Sequence, residues 1–331
     1  MMIYKLQGCK KSAVIGWMAG MLLLAGCTQD KPADTSQGEM LPEGKYPMTF
    51  TVTGLEATAT TRVTADGKWD SDEEVAVQVD GVVKKYVTTS YGESTTLQPA
   101  DPDNAFYWQN TDETKQVSAW YLGTGYNNNP PTKTNPRWLW SVQSNQNNDN
   151  GYQQSDFLYA PQTTCSFGGT SSLTFSHKTA KVVINIRKYG VATDDEDIDS
   201  ITICNTPLTG FTYENGEELK FTGIESTPCD LTPCKLTVQN EVSFEANKPA
   251  ETALASYQAL VVPNFIRNQS FEIKMGGYAP FKYNPTVSYK WESGMQYTYN
   301  LTIKGEKVTA TVTSTEMKWK DGGSGEGTVV I

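Results

Sequence analysis

Short runs of β-branched and aromatic residues, broken by Gly, Pro, Asn or Asp, recur along this chain and commit it to sheets. The cleanest run is Pro47–Thr53, apolar at Met48, Phe50 and Val52 and threonine at 49, 51 and 53. That strict period of two predicts a half-buried strand. Further strands are expected at Val75–Val79, Lys115–Leu122, Leu173–Phe175, Lys181–Ile186 and Ser200–Ile203. The later ones are Tyr257–Val262, Ser270–Lys274, Tyr297–Ile303 and Val308–Val312. No long stretch places apolar residues at helical spacing between helix caps. Sheets joined without helical crossovers predict an all-β fold of antiparallel sandwiches. Residues 123–155 interrupt the rhythm with Asn127–Pro131 and an Asn/Gln-rich run over 141–155, and a long surface excursion is expected there.

The amino terminus looks like an export signal. Lys5, Lys10 and Lys11 precede an apolar run, Ala13–Leu24, too short to span a bilayer. Leu24-Ala25-Gly26-Cys27 follows and resembles the lipobox of bacterial lipoproteins, which makes residues 1–26 a signal peptide and Cys27 the lipidated, palmitate-bearing first residue. Residues 27–46 are polar, with Pro and Gly, and are expected to be a tether.

Without the first 26 of its 331 residues the chain keeps 305, enough for two domains. It then carries 24 basic residues against 37 acidic ones, a formal charge of −13. Nucleic acid needs a basic footprint and is excluded as a partner. Of six cysteines, Cys165, Cys204, Cys229 and Cys234 remain in an exported, disulfide-permissive setting, as disulfides or free thiols whose pairing the sequence leaves open. His177 is the single histidine, so no multi-histidine metal site can form and no catalytic relay is expected. The glycine pairs 168–169 and 276–277 are turns rather than phosphate loops, and the acidic run 194–197 reads as a solvated loop rather than a calcium site. The chain is not expected to be an enzyme or to hold a metal or cofactor, apart from the covalent lipid.

Several landmarks occur in an order that resembles the fimbrillin-like lipoproteins, the subunits of type V pili. They are the lipobox at Cys27, the strand at 47–53 with Thr60-Thr61-Arg62 behind it, and Trp69–Val77. Asp156–Ala160, Leu173–Lys181, Ala259–Pro263, Ser293–Tyr297 and Trp319 complete the series. Ser71-Asp72 stands where the family usually has Gly-Asp, a departure that touches only a turn. The resemblance implies two tandem transthyretin-like sandwiches, here 47–170 and 171–331, with the change-over near 170. It also implies a lipoprotein of the outer membrane and fimbrium, an Arg-specific maturation protease, and polymerisation with other pilin subunits by strand exchange, with a role in adhesion.

On that footing, residues 47–62 become a removable strand and cut site. Met48, Phe50 and Val52 would fill the first sandwich until cleavage between Arg62 and Val63 released them. The groove left behind would accept a strand by β-augmentation. The expected donor is Val308–Val312, with Val308, Ala310 and Val312 on one face, followed by a flexible hinge at 321–327. The alternative is a surface glycan-binding lipoprotein of a polysaccharide-uptake system. Trp108, Trp120, Tyr121, Tyr126, Trp138 and Trp140 gather around the amide-rich excursion, and such aromatic faces stack on sugars.

Overall fold

The computed structural model describes residues 38–53, 67–133, 136–148, 150–169, 171–190, 197–215, 218–224, 227–236, 242–243, 250–265, 269–285, 290–305, 307–317 and 319–328. Nine strands lie in its first half: β1 (Phe50–Thr53), β2 (Glu74–Val79), β3 (Val82–Thr88), β4 (Thr95–Pro99), β5 (Thr114–Leu122), β6 (Leu139–Ser141), β7 (Phe157–Ser166), β8 (Ser172–Thr174) and β9 (Ser176–His177). All but β6 form one sheet in the order β8-β1-β4-β3-β2-β5-β7-β9. The tight β2–β3 turn is made by Asp80-Gly81, with φ of 49° and 83°, and Val79 pairs with Val82. Positive φ at both loop residues matches the twist of the flanking strands, and Asp-Gly favours it. The two outer strands, β8 and β9, are consecutive pieces of one segment that turns at Phe175. The sheet therefore closes on itself, barrel-like, around a core.

That core is built from alternate residues: Val75, Val77 and Val79 of β2, Val117, Ala119 and Tyr121 of β5, Leu158 and Ala160 of β7. The opposite faces of the same strands are also buried. Ala76, Trp120, Leu122, Phe157 and Tyr159 belong to a second core shared with the carboxy-terminal half.

The second half contributes β10 (Ala180–Tyr189), β11 (Ile198–Thr206), β12 (Thr209–Asn215), β13 (Glu218–Ile224), β14 (Cys229–Leu231), β15 (Cys234–Leu236), β16 (Val242–Ser243), β17 (Glu251–Val261) and β18 (Asn264–Phe265). It ends with β19 (Ser270–Met275), β20 (Phe281–Tyr283), β21 (Lys290–Trp291), β22 (Met295–Lys304), β23 (Lys307–Met317) and β24 (Trp319–Thr328). A sheet β15-β17-β10-β22-β23-β24 shares a core with a four-stranded sheet β14-β11-β19-β20. Val182, Ile184 and Ile186 of β10 lie in it with Ile201, Ile203, Phe271 and Ile273, and Phe271 and Tyr299 meet at 4.5 Å between ring centroids. The fold is all-β and sandwich-like; two 3-10 turns are the helical elements among the described residues.

The structure corrects four expectations. First, the pairing is not wholly antiparallel: β1–β8 and β10–β22 are parallel. Both join strands far apart in sequence, where a long connection permits either direction. Second, the excursion at 123–155 folds inward. Trp138, Trp140, Val142, Gln146 and Tyr152 are buried, and β6 pairs with β12 across the middle of the chain. The Gln146 amide takes the place of a peptide unit, its Nε2 donating to Leu260 O at 2.7 Å while Leu260 N donates to its Oε1 at 2.8 Å. Third, residues 321–327 are not a free hinge but lie in β24, an antiparallel hairpin with β23. Fourth, residues 39–46, expected as part of the tether, are bonded to residues 108–111.

Candidate functional site

The segment 39–53 is where the chain enters the fold. Leu41 N donates to Gln109 O at 2.8 Å and Thr111 N to Glu39 O at 3.0 Å. A turn follows at Pro42–Lys45, in which Gly44 adopts φ 67°. Trp108 N then donates to Tyr46 O at 3.0 Å and Met48 N to Phe106 O at 2.7 Å. From Phe50 the segment becomes β1, antiparallel to β4 (Phe50 opposite Leu97, Val52 opposite Thr95) and parallel to β8 (Val52 opposite Leu173). Thr51 N donates to Ser171 O at 2.8 Å and Phe175 N to Thr53 O at 3.1 Å, which completes the ladder.

Alternation decides what β1 does. Thr49 and Thr51 face water, while Met48, Phe50 and Val52 are at most 1% exposed in the core. The Phe50 ring packs against Tyr86 with centroids 5.6 Å apart. Three such side chains contribute about 5–8 kcal/mol of burial. Neighbouring strands sit about 4.8 Å apart, so β4 and β8 without β1 would bracket a gap one strand wide, lined by unpaired N–H and C=O groups. Two surface cavities flank the same segment. One, of about 430 Å³, lies between residues 45–51 and the loop at 166–171. The other, of about 610 Å³, lies between Met40, Leu41 and Met48 on one side and Val79, Val82 and Phe106 on the other.

The chain leaves the sheet at Thr53 and is described again from Gly67, where Trp69 exchanges backbone hydrogen bonds with Gly92. Arg62 and Val63 lie in the interval between and are outside the described residues, as is Cys27. Val308, Ala310 and Val312 occupy β23, opposite Ile303, Leu301 and Tyr299 of β22, with β24 on the other side. Val308 and Ala310 are buried in the carboxy-terminal core and Val312 packs against it. Met48, Phe50 and Val52 are thus brought together in the first core, and Val308, Ala310 and Val312, the expected donor residues, in or against the second.

The other candidates take structural positions. Trp108, Trp120, Tyr121, Trp138 and Trp140 are buried, and Tyr126 is half-buried beside the Lys85 ammonium. Trp138 stacks on Trp140 at 6.3 Å and meets Phe157 at 5.2 Å, so these rings pin the excursion instead of facing solvent. Cys165 is buried, Cys204 and Cys234 are half-buried and Cys229 is exposed. Among the described residues no cluster of His, Cys, Asp or Glu is placed to hold a metal.

His177 is buried with Nδ1 3.0 Å from Asp156 Oδ1, next to a second acidic group, Glu73, whose Oε1 accepts from Tyr121 Oη at 3.2 Å. Neither cavity is lined by these residues. Burial pushes the Glu73 carboxyl from 4.5 to about 8, against the opposing hydrogen bonds of the Asp70 amide and Tyr121. The folded chain therefore keeps a proton that the unfolded chain loses, and this residue's contribution to stability falls as pH rises from about 4.5 towards 8. Glu73→Gln should flatten that part of the pH dependence. Urea midpoints of wild type and variant should converge near about pH 4.5 and diverge in favour of the variant near about pH 8. Equal pH slopes would refute the assignment.

The sequence reasoning did not include residues 39–46 in this site. The signal was there in Met40-Leu41, an apolar pair in a polar stretch, and in Tyr46, which packs edge-on against Phe167 at 5.5 Å.

The site defines a class: a β-sandwich protein whose first sheet is completed by its own amino-terminal segment. The model of the fimbrillin-like family matches residues 61–319, and the chain belongs to that family. Two solved structures share the fold. A candidate cell adhesion protein from Bacteroides ovatus aligns with a TM-score of 0.59 at 17% identity, over 86% of this chain and 99% of that one. Another from Bacteroides uniformis aligns with a TM-score of 0.58 at 14% identity, over 83% and 99%. The tip fimbrial protein Mfa3 of Porphyromonas gingivalis aligns over 81% and 100%, at 8% identity and a TM-score of 0.41. No curated protein matches the sequence. The chain is thus a fimbrillin-like protein, and both structures that share its fold are described as cell adhesion proteins.

Proposed function

We propose that this chain is a pilus subunit that is exported as a lipoprotein on Cys27, matured by an Arg-specific protease between Arg62 and Val63, and assembled with other subunits by replacement of segment 39–53. The observation that carries this reading is β1 itself. It is four residues long, sits between β4 and β8, and together with Met48 just before it places three side chains in the first core.

The physics of maturation follows from connectivity. While residues 54–66 join β1 to the body, the strand rebinds its groove at the millimolar effective concentration of a short linker. Cleavage after Arg62 abolishes that advantage, and the strand then competes with any other strand by mass action. The segment that leaves contributes Met48, Phe50 and Val52 to the first core and nothing to the second, which would remain intact. A glycan-binding role finds no support in the buried aromatic residues. An adhesive role for the finished fimbria accords with the family.

Lipidation at Cys27 places the subunit on the outer membrane before assembly. Cys27→Ser should leave uncleaved precursor in the inner membrane, seen by fractionation and by loss of labelled palmitate. Normal surface display of that variant would remove the lipoprotein assignment. For the reading as a whole, the test is assembly of Arg62→Ala, argued in the Discussion.

A further inference from the structure

The three-stranded sheet β6-β12-β13 buries one face and leaves the other in water. We propose that the outer face binds an acidic saccharide, a sugar bearing a carboxylate or sulfate, on Tyr213 between the cations Arg137 and Lys220. The proposal needs neither cleavage at Arg62 nor strand replacement.

Alternation sets the two faces. Trp138, Trp140, Thr212, Leu219 and Phe221 point inward and are buried. Trp138 and Trp140 stack on each other and meet Phe157, which gives the sheet a rigid floor. Leu139 and Tyr213 point outward instead and are 50% and 47% exposed. Large apolar side chains gathered on one water-facing surface mark a site of interaction. Leu139 stands opposite Phe211, and Lys220, also exposed, stands opposite Tyr213. Carried two residues further, the β6–β12 register sets the exposed Arg137 level with Tyr213. The hydrogen bond of 3.1 Å from Thr212 N to Trp138 O keeps that register.

Three strands thus present one row of cation, aromatic ring and cation. The Arg137 guanidinium lies over the Phe211 ring, 4.5 Å from its centroid, and this stacking holds its planar fork in place. A fork of N–H donors matches a pair of carboxylate or sulfate oxygens, and Lys220 adds a second positive charge. Tyr213 supplies the apolar surface on which the C–H face of a sugar ring rests. Gly223 stands opposite Phe211 on β13, so no side chain fills that side of the row. At the far end Ser141 Oγ and Thr209 Oγ1 meet at 2.7 Å, two hydroxyls that can turn towards those of a sugar.

Size and charge select the occupant. At a strand spacing of about 4.8 Å and a rise of about 3.4 Å per residue, the face is about 10 Å wide from Arg137 to Lys220 and about 14 Å long from Thr209 to Tyr213. A stable protein interface takes about 800 Å² from each partner, several times what this patch offers. A short oligosaccharide covers it. The chain as a whole is acidic, but charge is screened beyond about 8 Å at physiological ionic strength, so the two cations govern what binds here. The next acidic position on β13, Glu218 opposite Asn215, lies one row further out.

The test is isothermal titration calorimetry of the full-length, uncleaved protein with four probes: a galacturonate trisaccharide, its methyl ester, a sulfated galactose trisaccharide and glycerol phosphate. At least one acidic trisaccharide should bind about 10-fold more tightly than the methyl ester, and the preferred one tells whether carboxylate or sulfate is read. Tyr213→Ala and, separately, Arg137→Lys should each weaken that binding about 10-fold at an unchanged thermal midpoint. Arg137→Lys keeps the charge and loses the fork, so it separates shaped recognition from bulk attraction, and it carries the test alone if Tyr213→Ala does not fold. Equal affinity for acid and ester, no binding of either acidic sugar, or full affinity in Arg137→Lys would overturn the proposal. Tighter binding of glycerol phosphate than of either acidic sugar would also overturn it and assign the face to lipid headgroups. None of these outcomes touches the pilus reading, which Arg62→Ala tests.

Discussion

Phe50→Ala is expected to lower the stability of the uncleaved protein by about 3–5 kcal/mol. The ring is 1% exposed, touches Tyr86 and occupies a closed sheet whose walls cannot collapse freely onto the space it leaves. Thr51→Ala, one position away on the water-facing side of the same strand, should change stability by no more than about 0.5 kcal/mol. Urea denaturation of the two variants compares burial with mere membership of β1. A small loss for Phe50→Ala would mean that β1 lies on the sheet without being part of its core. The same substitution has a second consequence after cleavage: the nicked strand should leave faster, so exchange with added strands should speed up even as the parent fold weakens.

Arg62→Ala should abolish assembly while leaving a folded monomer. The substitution falls in the polar run between β1 and Trp69 and removes the side chain that the protease recognises. Polymer should fall to background in boiled and unboiled SDS gels after protease treatment, with a denaturation midpoint equal to that of wild type. Full assembly of this variant would exclude cleavage at Arg62 as the trigger. Charged substitutions at Val308 and Val312 are a less clean test of donation, since Val308 is buried in the carboxy-terminal core and its replacement by Asp would unfold that half first.

The parts of this architecture visible in the sequence are those where one face of a strand meets the core and the other meets water. β1, β10 and β22 alternate cleanly in burial, as their sequences do. β7 begins with the run Phe157–Ala160, buried on both faces, and so carries no alternation to read. The inward fold of residues 138–155 was hidden for a different reason. Amide side chains read as solvated, yet Gln146 satisfies the backbone of Leu260 as a strand would, and Asn147 Oδ1 accepts from Lys235 N at 2.8 Å. β24 was illegible because four glycines in Trp319–Thr328 argue for a hinge, and only pairing with β23 makes a strand of them. At the candidate site the core residues Met48, Phe50 and Val52 could be named from their period. The eight residues before them could not, because their contacts are mostly backbone hydrogen bonds to residues 106–111, which leave little mark on side-chain pattern.

The central claim is that segment 39–53 occupies its groove only until assembly. Peptide mass spectrometry of subunits isolated from the fimbria measures this directly. The account predicts amino termini at Val63, with peptides covering residues 39–53 absent from the polymer and present in the unassembled precursor. Assembled subunits that still contain Met48, Phe50 and Val52 would contradict it.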